Sequence, residues 1–409
     1  MSIRDKAIEV SATGQLPLST RGKALLGQEM FKVLERARRL EEEGARICHL
    51  ELGNPRFQPP GEIIEACVKA LKDGDFGYTS SAGLPALRQA VAERYARLTQ
   101  RNLTLDNVIV SPANLIISQF LDLTCDQSDR IVVFTPAFPS YLVAAAHIGL
   151  ETIELPLSQA SGFDLTDADI DQAVSIRPKA ILVNSANNPT GAVYSMEQLR
   201  RLALRCHEYG IWLLSDETYG EMCFGKKFYS LAALDLPQLV VMSSFSKIFS
   251  IPGFRTGFAI AHPAVAEKFA FSSSTLISCL PSFTQRGCLA GMAVLDSYLV
   301  KVREYFSRQA YECVELVNGS GVLSCAPPQS GFYLFVDIAR TGLDDVQFST
   351  KLLEDRHTAV TPGRSFGRVY QTSVRVATCG KYEDVLLGTE RMVALAQELC
   401  PQEHERRAY

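Results

Sequence analysis

The chain has 409 residues, 47% of them hydrophobic and 21% charged, and a net charge of −4. That composition supports a large core and two or three domains, and its mild acidity gives no electrostatic case for nucleic acid or an anionic membrane as partner. Residues 1–10 carry Asp5 and Glu9 and do not read as a signal peptide, and the apolar run at 141–150 is short and holds His147, so no membrane span is expected. The eleven cysteines are scattered without a Cys-x-x-Cys pair. In a long chain with no secretory signal they read as reduced core thiols, the cytoplasm is the expected location, and no metal is expected.

Residues 1–25 show no strong period. At 28–43, Met30, Val33, Leu34, Ala37 and Leu40 recur at helix spacing, and Gly44 follows as a stop. A short strand is expected at 47–52, running into Gly53-Asn54-Pro55. Helices are expected at 62–71 and 85–98, the second with Leu87, Val91 and Tyr95 on one side, and a polar loop from Tyr78 to Gly83 lies between them. From about residue 107 the pattern becomes α/β. Strand-like runs at 107–110, 130–134, 151–155, 180–184, 211–215, 239–243 and 257–261 alternate with helices that include 114–124, 141–147, 196–209 and 264–271. This alternation predicts a mostly parallel sheet covered by helices. Beyond a helical region ending near 317, strands at 322–326, 331–336 and 374–377 and helices at 346–354 and 383–397 suggest a smaller α+β unit. There is no linker rich in Pro, Gly or Ser, no repeat and no low-complexity segment.

One stretch organises the chemistry. The apolar run Leu239-Val240-Val241-Met242 is followed by Ser243-Ser244-Phe245-Ser246-Lys247, and then by Gly253, Arg255 and Gly257. A lysine just past a buried strand sits where open α/β sheets bind ligands. Poor solvation there lowers its pKa and suits it to attack a carbonyl. Arg255 supplies a cationic fork for a phosphate. Pyridoxal 5′-phosphate (PLP) offers both an aldehyde and a phosphate. A core strand followed by a loop with two surface cations is the plainer alternative.

Other residues read two ways when taken singly. Asp216, after the apolar run at 211–214, is a turn cap or the partner of a pyridine nitrogen, with Tyr219 three residues on. Asn187-Asn188-Pro189-Thr190-Gly191 is a turn or a donor to a ring oxygen or substrate carboxylate. Ala113 and Asn114 begin a helix whose N–H groups favour a phosphate. Phe138 fills core or stacks on a flat ring. Arg375, in the apolar run Val374-Arg375-Val376-Ala377, needs a partner, either a salt bridge or a substrate carboxylate.

Together and in this order, these motifs resemble the aspartate aminotransferase superfamily, PLP-dependent enzymes of fold type I in the class I/II aminotransferase group. The carriers are Leu52-Gly53-Asn54-Pro55, Tyr78 with Gly83 and Leu87-Arg88, Pro136-Ala137-Phe138-Pro139, Asn188-Pro189-Thr190-Gly191, Asp216-Glu217-x-Tyr219, Ser244-x-x-Lys247 with Gly253-x-Arg255-x-Gly257, Pro362-Gly363 with Phe366-Gly367, and Val374-Arg375. The resemblance implies a large PLP-binding domain over 51–290 with a mostly parallel seven-stranded sheet sandwiched by helices. It also implies a smaller α+β domain formed by the N-terminal segment 1–50, with its arm, and the C-terminal segment 291–409.

For the site, the resemblance implies a Schiff base on Lys247, which then acts as the proton shuttle. Asp216 would bind the ring nitrogen, and Tyr219 and Asn188 the phenolic oxygen. Ala113, Asn114, Ser244, Ser246 and Arg255 would hold the phosphate, with Tyr78 reaching the phosphate of a partner subunit in a homodimer. Phe138 would stack on the ring. Arg375, with Gly53 and Asn188, would hold a substrate carboxylate. The implied reaction moves an amino group from an α-amino acid to a 2-oxo acid.

Three positions depart from the family pattern. Ala113 stands where glycine is usual, Phe138 where tyrosine is common and Thr256 where an aliphatic residue is usual. They motivate an alternative on the same scaffold: a non-transaminating PLP enzyme such as a lyase, cyclase, oxidase or carbon–carbon bond-forming synthase. A PLP-binding regulator is disfavoured, because the pattern begins almost at once and the charge is mildly acidic.

Overall fold

The computed structural model describes residues 27–400, together with Gly22. Most of the expected N-terminal arm, residues 1–21 and 23–26, lies outside the described residues. The strands are β1 (Cys48–His49), β2 (Val108–Ser111), β3 (Arg130–Thr135), β4 (Glu151–Pro156), β5 (Ala180–Asn184), β6 (Trp212–Asp216), β7 (Leu239–Ser244), β8 (Gly257–Ile260), β9 (Tyr333–Asp337), β10 (Thr358–Ala359), β11 (Thr361–Pro362) and β12 (Ser373–Ala377). Seven of them form one sheet in the order β2-β8-β7-β6-β5-β3-β4. Every pairing is parallel except those of β8, which runs antiparallel to both its neighbours. This is the expected α/β fold with a mostly parallel seven-stranded sheet.

Burial explains why these runs become strands here. All five residues of β5 and all six of β7 are buried, as a strand with helices on both faces requires. Two apolar cores sandwich the sheet. One holds Ile181, Val183, Leu213 and Val241, and the other Ala180, Leu182, Leu214 and Val240, so alternate side chains of each strand feed opposite faces. Local signals set the helix starts. Ser195 and Gln198 form a capping box ahead of Met196–Glu208, and Pro85 opens Pro85–Thr99.

A further, smaller core lies among β9, β12 and the helices Asp345–Arg356 and Tyr382–Leu399. Here β11, β12 and β9 form a three-stranded antiparallel sheet, and β1 pairs with β10 alone. The long helix Ser282–Gly319 joins the two parts. Its residues from Cys288 to Phe306 enter the large core, and Ala310, Cys313, Val314 and Val317 enter the smaller one. The strand expected at 322–326 is not formed; only Ser324 bridges to Asp337. The Asn318 side chain takes both backbone groups of Cys325, and Pro327 and Pro328 follow without N–H donors. Among the described residues no helix is long and apolar enough to cross a membrane.

Candidate active site

The sheet register brings the motifs together. Asn184 at the end of β5 pairs with Asp216 at the end of β6, and Asp216 pairs with Met242 of β7. Lys247 lies three residues past the end of β7. On the other side, Gly257 of β8 pairs with both Ser111 and Ser244, which gathers the Ala113-Asn114 turn, Ser244 and Arg255. Gly257 is needed there: a Cβ would stand 2.8 Å from the Ser243 carbonyl and 3.3 Å from the Ala113 nitrogen. These carboxyl ends of the strands open into a cavity of about 470 Å³.

Gly53, Ala113, Asn114, Phe138, Asn188, Asp216, Tyr219, Ser244, Ser246, Lys247, Arg255 and Arg375 all line it. Of the expected site residues only Tyr78 does not. Its side chain is 91% exposed, away from the cavity.

Lys247 Nζ donates to the Gly53 carbonyl at 2.6 Å. Burial pulls its pKa down to about 8, with the cations Arg375 and Arg255 pushing the same way and Cys379 opposing. The amine therefore passes to its neutral, nucleophilic form around pH 8, well below an ordinary lysine, although the ammonium still predominates at neutral pH. Gly53 is fixed by crowding, because a Cβ would overlap the Tyr333 hydroxyl at 1.8 Å.

Asp216 is buried, and burial raises the pKa of its carboxyl. Two donors offset part of that cost: the Tyr141 hydroxyl to Oδ2 at 2.6 Å and the Thr218 N–H to Oδ1 at 3.0 Å. Asn184 Nδ2 holds the Asp216 carbonyl at 2.9 Å, and Asn184 Oδ1 accepts from the Asn188 N–H at 2.8 Å. The loop beyond is anchored by Glu217, whose carboxylate accepts from Ser230 Oγ at 2.6 Å, the Leu231 N–H at 2.8 Å and Ser215 Oγ at 3.1 Å. Tyr219 then donates to the Tyr333 hydroxyl at 3.0 Å.

Arg375 is 1% exposed. It donates to Glu51 O and, at 3.2 Å, to Thr361 Oγ1, and its Nη1 lies 3.4 Å from Asn188 Oδ1. Its guanidinium carbon sits 4.6 Å from the Tyr333 ring centroid and 4.9 Å from that of Phe366. No carboxylate neutralises it among the described residues, and its buried Nε has no partner. A buried cation of this kind calls for an anionic ligand. Asn188 turns its oxygen to Arg375, leaving its N–H₂ as a donor. The helix Ala113–Thr124 starts at Pro112 without a side-chain cap, so its first N–H groups are available to an anion. Ser244 Oγ accepts from the Ser246 N–H at 3.2 Å, and Arg255 bonds the Pro252 carbonyl at 2.9 Å. Phe138 meets Tyr141 edge-on, with centroids 5.8 Å apart.

Sequence reasoning missed Tyr141, Tyr333, Thr218 and the start of the helix Glu29–Glu42. Gln28, Met30 and Phe31 from that start line the cavity, and Gln28 Nε2 ties it down by donating to Ser140 Oγ at 2.8 Å. Tyr141 stood inside a stretch already singled out, but a tyrosine opening a helix reads as core.

A half-buried low-pKa lysine, a buried aspartate on the next strand, an anion-ready helix start and a buried arginine with no described carboxylate partner define the site of a PLP-dependent enzyme of fold type I. The model of the family described as aminotransferase class I and II matches residues 45–387. The chain belongs to that family and is a PLP-dependent aminotransferase. It is 31% identical over 360 residues to a probable aspartate/prephenate aminotransferase of Aquifex aeolicus, covering 86% of this chain and 91% of the relative. It is 28% identical to a (5-formylfuran-3-yl)methyl phosphate transaminase of Methanocaldococcus jannaschii, covering 90% and 98%. Among solved structures, the aspartate aminotransferase of Thermus thermophilus with maleate superposes with a TM-score of 0.88 at 27% identity, over 93% of this chain and 100% of that one. These matches favour transamination over the lyase, cyclase, oxidase or synthase alternative.

Proposed function

We propose that this aminotransferase moves the amino group of an α-amino acid to a 2-oxo acid, with PLP held in the cavity between β5, β6, β7 and the helix Ala113–Thr124. The observation that carries the reading is the pairing of a half-buried Lys247 of lowered pKa with a buried Arg375 that has no described carboxylate partner, in one cavity. The Ala113 and Asn114 N–H groups, Ser244, Ser246 and Arg255 would hold the phosphate. Asp216 would partner the ring nitrogen, Asn188 and Tyr219 the phenolic oxygen, and Phe138 the ring face. When bound, PLP supplies the aldehyde that takes the amino group and a ring that accepts the electron pair released at Cα.

The chain's residues do the rest. Arg375 and Asn188 fix the α-carboxylate, which orients the Cα–H bond. Lys247 Nζ, once free, takes the Cα proton as general base. Asp216, its carboxyl held in place by Tyr141 and Thr218, would partner a protonated ring nitrogen. Such a cationic neighbour favours the ionised form that burial alone disfavours. A second substrate runs the steps in reverse, so ping-pong kinetics are expected. We assign the described residues of 1–50 and 291–409 to a smaller domain and 51–290 to the PLP-binding domain, with the helix Ser282–Gly319 crossing the boundary and packing into both cores. The working form is a cytoplasmic homodimer in which Tyr78 serves the partner subunit's site.

The test is an absorbance-monitored screen of PLP-loaded protein against a broad amino-acid panel. Conversion to pyridoxamine phosphate with release of a 2-oxo acid is expected. Release of ammonia or a thiol with no dependence on an oxo-acid acceptor would reject the reading.

A further inference from the structure

Just ahead of Gly53, the chain carries a row of charged groups that lie outside the cavity. In extended backbone, residues two apart share a face, and here His49 and Glu51 meet. Glu51 is fully buried, and its Oε1 accepts from His49 Nδ1 at 2.9 Å. The other ring nitrogen, Nε2, lies 3.1 Å from Glu41 Oε1 on the helix Glu29–Glu42. Ionised carboxylates only accept, so both ring nitrogens carry protons and His49 is an imidazolium. The bond to Glu51 lifts its pKa to about 9 against the cost of burial, and Glu41 adds to the rise. Other charges line the same cleft: Arg38 of that helix, Arg46, which pairs with Asp384 at 2.9 Å, Arg56 and Lys381.

Glu51 also reaches Arg375, through its backbone. The Glu51 carbonyl accepts from Arg375 Nη2 and, at 2.8 Å, from Thr361 Oγ1. We propose that His49 and Glu51 are positioning residues for Arg375: the imidazolium fixes the Glu51 side chain, and so fixes the carbonyl that aims the guanidinium at a substrate carboxylate. A buried carboxylate that loses its cation is costly to keep in place, so the peptide that bears it relaxes. The carbonyl moves with it, and a bidentate contact tolerates little misplacement. Below pH 9 the row of bonds is complete. As pH rises through 9, His49 loses the proton that one of its two carboxylates needs. The proposal rests on the assignment of Arg375 to the substrate carboxylate, and binding reads it apart from turnover.

The test compares wild type, His49→Gln and the double variant His49→Gln with Glu51→Gln, all loaded with PLP. Kinetics uses the amino acid that the wild type converts best, and calorimetry uses succinate and 3-phenylpropanoate as unreactive carboxylates. At about pH 7.5, His49→Gln should raise KM, and Kd for the tighter-binding carboxylate, by about tenfold, with kcat within about threefold of wild type. The double variant leaves no buried charge uncompensated and should return KM to within about threefold of wild type. Between about pH 8 and 10, KM of the wild type relative to the double variant should rise about fivefold. Lys247 and the substrate amine titrate in both proteins and cancel in that ratio. If His49→Gln fails to fold, the pH comparison decides alone. Unchanged KM and Kd in His49→Gln, or matching pH profiles, would reduce the pair to a structural role, overturn the inference and leave the aminotransferase intact. The expected Kd pattern with no amino acid converted would overturn the reaction instead and uphold the positioning.

Discussion

At the scale of single residues, Lys247 owes its chemistry to solvation. It sits past the end of a fully buried strand, and the missing water lowers its pKa to about 8. The neutral amine is the reactive form. The rate at which PLP-free protein takes up PLP should therefore rise with pH through about 8 and level off above it; a rate still climbing beyond pH 9.5 would contradict that burial effect. Asp216→Asn keeps the shape and removes the charge. It should lower kcat by about 10²–10⁴ while retaining PLP, because the carboxylate sustains the ring's protonation rather than the binding of its phosphate. Kinetics together with a count of bound cofactor separates the two effects. These residues were legible in the sequence because each belongs to a motif of fixed local spacing. Tyr141 and Tyr333 were not, since each reaches its partner across distant elements, and nothing around them marks the hydroxyl rather than the ring as what matters.

Secondary elements supply the rigidity. The turn Gly220–Met222, directly after Tyr219, is pinned by Glu221, whose buried carboxylate accepts from Arg94 Nε at 2.8 and 3.0 Å. Arg94 lies on the helix Pro85–Thr99, so one ion pair ties that helix to the loop carrying Asp216 and Tyr219. Arg94→Met leaves Glu221 buried and uncompensated. A loss of about 3–5 kcal/mol in urea unfolding is expected, and the double variant Arg94→Met with Glu221→Gln should recover part of it. An unchanged midpoint would show that the pair carries no such weight. Elements were readable where period and burial agree, as in β5 and β7. They misled at 322–326, where an apolar run has its backbone bonds taken by Asn318 and is followed by two prolines. The helix Asp167–Ser175 escaped notice because only Ile170, Ala173 and Val174 of it are buried.

For the molecule as a whole, the site is a joint product. The large sheet supplies Asp216, Lys247 and the anion-ready helix start, β12 of the smaller antiparallel sheet supplies Arg375, and the helix Glu29–Glu42 covers the remaining side. The alternation of strands and helices announced the large sheet. That the start of the helix Glu29–Glu42 lines the cavity followed from no local pattern, because Met30 was read only as part of a helical stripe. The exposure of Tyr78 suits a residue that serves a partner subunit. Light scattering should give a dimer, and Tyr78→Phe should weaken PLP retention by about tenfold, the loss of one hydrogen bond to a phosphate. A monomer that retains PLP fully would contradict the shared site. The central claim is that Lys247 carries the cofactor. PLP-loaded protein can be reduced with borohydride, digested and mapped by mass spectrometry. A pyridoxyl group confined to the Lys247 peptide is expected, and it should be absent in Lys247→Ala. A label elsewhere, or spread over surface lysines with Lys247 unmodified, would contradict the claim.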